Sequence, residues 1–409
     1  MIRSAAASFI VPSGVEAGAA RVLVARALRS FGDGYVAVLL PAYLLALGFS
    51  DLGIGIVGTV TLLGSAIATL SLGAFGNRVP EHRLLAGAAF LMILTGVGFA
   101  GLSTFWPLLI VAFFGTLNPS GGDVTVFLPL EHARLAASSS GDSRTALFAR
   151  YSLAGSLAGA LGALTAALPE WISSLTSASR LECMRAMFGA YALIGVAIWL
   201  LYRGAPRDPR LRQAAQAPLG QSRAIVFKLA ALFSVDAFAG GLLVHSLLAL
   251  WLFQRFGMSL TAAATFFFWT GILSAGSQLA AAPIARRFGL LNTMVYTHIP
   301  SSVFLIAAAL SPNVEVALAF MLLRSALSQM DVPTRSAYVM AVVTPPERPA
   351  AASFTAVPRS LAAAAGPALT GVLFSAGALA APLIACGVLK IGYDLALLAA
   401  FRKVAPNLE

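Results

Sequence analysis

Apolar runs long enough to cross a lipid bilayer recur along almost the whole of this chain. A spanning helix needs about 20 mostly apolar residues, and twelve such runs are separated by charged or turn-rich breaks. They start near Ser30, Leu52, Leu84, Trp106, Ala146, Met184, Ala224, Leu260, Leu291, Val314, Ala352 and Pro382. The 409 residues are 59% hydrophobic and only 11% charged, which excludes an ordinary soluble globular protein. We therefore predict an all-α membrane protein with twelve transmembrane helices.

The positions of the basic residues predict the orientation of these helices. Lys and Arg near the ends of spans are retained on the cytoplasmic side. With the N-terminus inside, 21 of the 27 basic residues fall at or near the cytoplasmic face. Three of the other six lie within spans, and they are Arg324, Arg335 and Lys390. We expect a multi-pass protein of the cell inner membrane with both termini cytoplasmic, and we interpret the net charge of +11 as a topology signal rather than a nucleic-acid surface.

A polar stretch near the middle of the chain separates six spans from six. The predicted parts are a cytoplasmic tail with the start of the first span (1–29), a six-helix bundle (30–203), a cytoplasmic linker (204–223), a second six-helix bundle (224–401) and a tail (402–409). An offset of 208 or 209 residues brings Arg78 onto Arg287 and Asp123 onto Asp331. Two parallel repeats of six spans are typical of one transporter architecture.

The loops after the second span of each half carry a family pattern. They read "GAFGNRVPEHRLL" (73–85) and "APIARRFGLLNTM" (282–294), and they resemble the major facilitator superfamily. Arg78, Arg83 and Arg287 match that pattern, whereas Asn77 and Arg286 stand where the family has an acid. The resemblance implies two pseudo-symmetric six-helix bundles and secondary active transport by alternating access. It also implies that the cytoplasmic latch of the family is weak or differently built here.

Glycine-rich segments of the fifth and eleventh spans resemble those of exporters in this family. They read "GSLAGALG" (155–162) and, less closely, "AAGPALTG" (364–371). Export is one implication. The alternative is that these small residues only allow neighbouring helices to approach closely.

Charged residues inside the spans are expensive and therefore informative. Asp331 and Arg335 are four residues apart, a spacing at which helical side chains meet, with Pro333 between them. We predict a charged cytoplasmic gate rather than direct substrate contact. Its members are Asp123, Asp331, Arg335, Arg78, Arg83 and Arg287.

An acidic residue in the first span often carries the coupling proton in exporters of this family. By that resemblance Asp33, and Asp236 at the matching place in the second half, become the proton-coupling candidates. Both are expected a few residues inside the cytoplasmic end of their span. The alternative for Asp33 is a carboxylate that is held by Arg26 or Arg29 and never protonated.

Near the middle of the membrane the sequence places one charge, Arg324, which either binds an anionic substrate group or pairs with an internal acid such as Asp331. In the fourth span, "TLNPSGGD" (116–123) predicts an interrupted helix of the kind that lines binding sites. The other predicted substrate-binding residues are Asn118, His245, Gln329, Tyr43, Trp269 and Gln278. A histidine satisfied by Ser246 or a carbonyl is the alternative for His245, and Lys390 and Asp394 are expected to pair with each other.

No nucleotide-binding, hydrolytic or cysteine metal motif occurs in the sequence. We therefore expect no enzyme activity, no cofactor and no structural metal, and an energy supply from an ion or substrate gradient. The leading prediction is proton-coupled efflux of a small organic molecule. The expected partners are that substrate, protons and membrane lipid, without nucleic acid, and the chain is expected to be a monomer. The alternatives are a divalent metal exporter and a non-transporting sensor or assembly protein on the same fold.

Overall fold

The computed structural model describes residues 17–75, 79–120, 125–138, 141–204 and 219–403, and these residues form helices without a strand. In chain order the first eight helices are α1 (Ala17–Ala46), α2 (Asp51–Phe75), α3 (Glu81–Gly101), α4 (Phe105–Phe114), α5 (Phe127–Ala137), α6 (Gly141–Thr165), α7 (Leu168–Leu175) and α8 (Arg180–Arg203). They continue with α9 (Arg223–Gly241), α10 (His245–Phe256), α11 (Leu260–Phe288), α12 (Leu290–Leu310), α13 (Val314–Leu327), α14 (Asp331–Val342), a 3-10 helix (Pro345–Glu347), α15 (Arg348–Ser375) and α16 (Ala381–Phe401). The predicted all-α class is confirmed.

Helix starts agree with the predicted span starts except at the first span. Eleven predicted starts lie within about five residues of a helix start, whereas α1 begins at Ala17 rather than near Ser30. The arginines that suggested a cytoplasmic flank lie inside this helix, where Arg21 donates a hydrogen bond to the Gly204 carbonyl at 3.1 Å. Asp33 consequently lies roughly 24 Å along its helix and Asp236 roughly 20 Å along α9, deeper than the sequence suggested.

Within the described residues, nine segments are long and apolar enough to cross a membrane. The predicted spans outside this set are α1, the α4–α5 segment and the α13–α14 segment. Two of them are interrupted, so that each of their helices is too short to cross a membrane by itself, and α1 carries charged residues. The count of twelve spans remains a prediction.

The fourth span of each repeat is broken at a corresponding place. In the first half α4 ends at Phe114 and α5 begins at Phe127, so the predicted interruption after Thr116 is confirmed over the described part of this segment. In the second half α13 ends at Leu327 and α14 begins at Asp331. Backbone groups freed by such breaks need partners, and in transporters they commonly line the substrate path.

The chain divides into two compact units. Within the described residues, unit 1 takes those in the intervals 1–47, 64–213 and 260–268, and unit 2 takes those in 48–63, 214–259 and 269–409. Most helices before the predicted linker belong to unit 1 and most after it to unit 2. The beginning of α2 belongs to unit 2, and the beginning of α11 belongs to unit 1.

Glycines bring two helix pairs into backbone contact. In unit 1, a Cβ atom at Gly34 of α1 would lie 2.1 Å from the carbonyl oxygen of Gly159 in α6. In unit 2, a Cβ atom at Gly366 of α15 would lie 2.2 Å from the carbonyl carbon of Gly241 in α9. Only glycine fits such approaches. The packing interpretation of the two glycine-rich segments therefore has direct structural support.

Large apolar side chains cover the outside of these helices. Trp106 is 72% exposed, Leu193 70% and Leu175 67%. Apolar side chains exposed to this extent are stable when the surrounding solvent is lipid, because exposing them to water would cost free energy. The described surface therefore fits a protein embedded in a bilayer.

A carboxylate caps the start of α9 within unit 2. Glu347, the last residue of the 3-10 helix, accepts hydrogen bonds at 3.0 Å from the backbone N–H groups of Gly220, Gln221 and Ser222. The N-terminal N–H groups of a helix have no partner within the helix, so a carboxylate there stabilises it. Hydrogen bonds from the Ser222 side chain, and then from these backbone groups, hold the pKa of Glu347 below its usual value.

We expect Glu347→Gln to lower the thermal unfolding temperature at pH 7, and we expect this difference to shrink in acid. The folded pKa of Glu347 is depressed, so its stabilising effect is complete above the unfolded pKa and is lost as the pH falls through the folded pKa. Unfolding curves of both proteins from pH 7 to pH 3 measure the effect. A temperature difference that stays constant over this range would exclude the titrating cap.

Candidate functional site

A buried cluster of polar groups joins four helices of unit 1, and we call it the N-terminal cluster. At its centre Glu131 of α5 is fully buried. Its carboxylate lies 2.9 Å from Arg29 Nη2 of α1, and it accepts hydrogen bonds from the hydroxyls of Tyr151 at 2.5 Å and Tyr202 at 2.8 Å. The Arg29 guanidinium also stacks over the Phe127 ring at 4.5 Å. Both oxygens of the Glu131 carboxylate are thus engaged by neighbouring helices, which indicates a structural role.

Asp33 lies one turn beyond Arg29 on α1 and is bound differently. It is buried, and its Oδ1 accepts a hydrogen bond from the Tyr191 hydroxyl at 3.4 Å, with the Asn118 side chain as a further hydrogen-bond partner. Among the described residues Asp33 makes no ion pair within 4 Å, because Arg29 pairs with Glu131 instead. The hydrogen-bond partners of this carboxylate are therefore neutral, while Arg29 and Arg26 act on it only as nearby charges. It also brings Asn118, a predicted substrate residue, to a predicted proton site.

Asp236 occupies the matching position in unit 2, and it is held by two cations. Arg335 Nη1 of α14 lies 2.8 Å from Oδ2, and Lys390 Nζ of α16 lies 2.6 Å from Oδ1. All three side chains are largely buried. We call these residues, together with Asp331, His298 and Asp394, the C-terminal cluster. The two proton-coupling candidates thus have opposite surroundings, and a doubly paired carboxylate is poorly suited to exchange a proton.

The predicted Asp331–Arg335 pair is confirmed, with Arg335 Nη2 lying 3.3 Å from the Asp331 carboxylate. Arg335 also binds Asp236, so it connects two helices of unit 2. Asp123 and Arg78, two other members of the predicted gate, lie outside the described residues. Arg83 and Arg287 are exposed, near the start of α3 and the end of α11. The gate itself remains a prediction.

The expected pairing of Lys390 with Asp394 is wrong. Lys390 binds Asp236, while the Asp394 carboxylate lies 2.9 Å and 3.1 Å from Nδ1 of His298 on α12. The spacing of four residues on α16 permits a contact between Lys390 and Asp394. Each side chain instead binds a group on another helix, which is a carboxylate for Lys390 and an imidazole for Asp394. The sequence reasoning missed His298. The available signal was an imidazole within an apolar span, which is rare unless it has a partner or a function.

Arg324 of α13 does not pair with Asp331, the internal acid predicted as one of its two possible partners. Among the described residues it forms no hydrogen bond or ion pair, and Asp331 is bound to Arg335 instead. The electrostatic neighbours of Arg324 are His245 and Cys386. His245 is the first residue of α10, directly after the helix interruption at 242–244, and its side chain is exposed. Arg324 is therefore a cation close to the positive end of a helix, and both features favour an anion.

The remaining predicted substrate residues are dispersed. Tyr43, predicted to bind substrate, is instead fully buried in unit 1, where its ring fills the space between helices. Its hydroxyl donates a hydrogen bond to the Phe99 carbonyl at 2.5 Å. Trp269 is 53% exposed, as expected of a side chain facing lipid. Gln278 and Gln329 are half-buried.

No metal site is evident in the part of the chain that the structure describes, where no three His, Cys, Asp or Glu side chains are grouped to hold an ion. Asp33 and Asp236 lie deeper than the sequence suggested, so their depth no longer argues against metal binding. Their surroundings do, since one is held by neutral donors and the other by two cations.

The model of the Major Facilitator Superfamily matches residues 22–327 of the chain. The protein belongs to this superfamily. Its fold agrees with the solved structures of other superfamily transporters. The nucleoside transporter NupG superposes with a TM-score of 0.70 at 16% identity, covering 95% of this chain and 100% of that one. A D-xylose–proton symporter superposes with a TM-score of 0.71 at 15% identity, covering 95% and 98%.

A relative is also found among curated proteins. The uncharacterized membrane protein YJR124C of Saccharomyces cerevisiae is 26% identical over 418 residues, with 93% of each chain covered. This superfamily member is thus similar along its length to a membrane protein, and its fold is that of membrane transporters.

Proposed function

We propose that this superfamily member is a secondary active transporter of the cytoplasmic membrane, with both termini in the cytoplasm. It exports a small organic anion in exchange for protons by alternating access. The observation that carries the proposal is Arg324, a cation in a predicted span that has no hydrogen-bond or ion-pair partner among the described residues.

Arg324, an arginine within a predicted span, needs an anion to balance its charge. A charge within a span is costly unless it is paired or serves a pathway. The planar guanidinium binds a carboxylate or a phosphate through two parallel hydrogen bonds. The N-terminus of α10 adds positive potential near Arg324, and no carboxylate of the described residues pairs with this arginine. The ligand that completes this group is therefore an organic acid or a phosphorylated compound.

Proton coupling is proposed to depend on Asp33. Its carboxylate can take up a proton without breaking an ion pair, because Tyr191 and Asn118 are neutral and can rearrange their hydrogen bonds. Asp236 would have to leave Arg335 and Lys390 first. The fold is compatible with proton coupling, since one structural neighbour is a D-xylose–proton symporter. Export, rather than uptake, follows the resemblance of the glycine-rich segments to those of exporters.

We expect organic anions to raise the thermal unfolding temperature of the wild type and not that of Arg324→Ala. A ligand that binds only the folded state stabilises it by about 2.7 kcal/mol at one hundred times its dissociation constant. The assay uses purified protein with a panel of carboxylates, phosphorylated compounds, lipophilic cations and divalent metals. Arg255→Ala is the matched control, because Arg255 is an exposed arginine at the other end of α10.

Each other outcome has a distinct meaning. Anions that stabilise Arg324→Ala as strongly as the wild type would exclude Arg324 as the anchor. Stabilisation by divalent metals would favour the metal exporter. A panel without any stabilising compound would favour a non-transporting sensor or assembly protein.

A further inference from the structure

A buried histidine–aspartate pair lies in the C-terminal cluster and has no part in the function proposed above. His298 is 4% exposed and Asp394 is 0% exposed. Nδ1 of His298 is 2.9 Å from the Asp394 carboxylate, so this nitrogen carries the proton when Asp394 is ionised. The other ring nitrogen, Nε2, then presents its lone pair.

The lone pair of Nε2 faces Lys390. Lys390 Nζ lies 3.4 Å from Nε2 of His298 and 2.6 Å from Oδ1 of Asp236, so the ammonium donates toward both groups. Nε2 is also 3.9 Å from the same Asp236 oxygen. The ammonium and Nε2 therefore compete for one carboxylate oxygen as soon as Nε2 carries a hydrogen.

The charges around His298 are already balanced. Helices α9, α14, α15 and α16 contribute three carboxylates and three basic groups, and α16 adds the Tyr393 hydroxyl. The charged groups are Asp236, Asp331, Asp394, Arg335, Arg359 and Lys390. The charged residue that α13 contributes to this region is Arg324, whose electrostatic neighbours are His245 and Cys386. A proton on His298 would give this buried group one uncompensated positive charge.

We infer that the His298–Asp394 pair is a second proton-binding site, and that its protonation opens the Lys390–Asp236 ion pair. The incoming proton binds Nε2, and the Lys390 hydrogen bond to that nitrogen is lost. The imidazolium then repels the ammonium and takes over Asp236 Oδ1. The use of this proton site in transport rests on the proposed function, whereas the binding of the proton at His298 does not.

A shift between two conformers follows from this exchange. The observed conformer requires a neutral His298 imidazole, since the Lys390 ammonium and Nε2 of His298 are only 3.4 Å apart. A proton favours any conformer in which they are further apart, and it shifts the population toward that conformer. Lys390 is on α16 and His298 on α12, which pack against each other, so the packing of these two helices would loosen.

Two native cysteines allow a direct test. Cys386 is fully buried on α16, one turn before Lys390, and Cys183 is buried on α8 of unit 1. We expect the ratio of Cys386 to Cys183 modification by a membrane-permeant maleimide, measured by mass spectrometry, to rise about tenfold from pH 8 to pH 5.5. A tenfold shift corresponds to about 1.4 kcal/mol. The ratio corrects for the slower reaction of thiols in acid.

The variant His298→Gln keeps a hydrogen-bond donor for Asp394 but cannot be protonated, so its ratio should stay constant with pH. His132→Gln is the matched control, because His132 is a histidine of unit 1 that makes an edge-to-face contact with Tyr151, and this variant should behave as the wild type. A constant ratio in the wild type, or the same rise in His298→Gln, would overturn the inference. Failure of transport with a pH-dependent ratio would overturn the proposed function alone.

A second measurement avoids any change in the cluster. The chain has 4 histidines, and a variant with glutamine at His82, His132 and His245 retains only His298. The imidazole carbon signals of this isotope-labelled variant, recorded from pH 4 to pH 9, should shift in parallel with the change in Cys386 modification. A histidine signal that does not change over this range would contradict the inference, even if His298→Gln failed to fold.

Discussion

Asp236→Asn will reduce the free energy of unfolding by about 3–5 kcal/mol, the cost of leaving buried charges without their partner. Asp236 neutralises Arg335 at 2.8 Å and Lys390 at 2.6 Å, and all three side chains are largely buried. Asparagine keeps the shape and can hydrogen-bond but carries no charge. Equilibrium unfolding of the purified protein in detergent or lipid measures the loss.

The matched control for this result is Asp33→Asn in unit 1. Asp33 forms no ion pair with the described residues, so the same substitution should cost only about 1 kcal/mol, the value of an ordinary hydrogen bond. The double variant Asp236→Asn with Lys390→Met should be less destabilised than the sum of its single variants, because the partner charge is also removed. Equal losses for Asp33→Asn and Asp236→Asn would contradict this account of the two aspartates.

Asp33→Asn should abolish transport driven by a proton gradient while leaving the ligand site intact. An amide cannot carry a proton at this position, but it can keep hydrogen bonds to Tyr191 and Asn118. The measurement uses proteoliposomes with an imposed pH gradient and an anion identified by thermal stabilisation. Gradient-driven flux should fall to the level of empty liposomes, whereas the stabilisation by the anion should remain.

The control for the transport experiment on Asp33→Asn is Asp33→Glu, which restores a titratable group and should recover part of the gradient-driven flux. Arg324→Ala should fail differently, because it should lose the ligand stabilisation as well as the flux. Undiminished gradient-driven flux in Asp33→Asn would exclude this aspartate as the proton carrier. The His298–Asp394 pair would then be the next group to neutralise.

Features that depend on residues near each other in the sequence were predicted well. A helix across a bilayer needs a long apolar run, so eleven predicted span starts lie within about five residues of a helix start. The break after Thr116 follows from a local Pro and Gly sequence. The Asp331–Arg335 contact at 3.3 Å follows from a spacing of four residues on one helix. Each of these features depends only on residues that are close together in the sequence.

Partners on different helices were decided only by the tertiary structure. Lys390 binds Asp236, 154 residues away, and Arg29 binds Glu131, 102 residues away. Local rules assigned Lys390 to Asp394 and offered Arg29 to Asp33. A buried charge pairs with the group that helix packing brings closest, and small residues such as Gly366 set how closely those helices approach. The sequence by itself determined a helical membrane protein with two similar halves; packing decided which carboxylate is locked between cations and which is held by neutral groups.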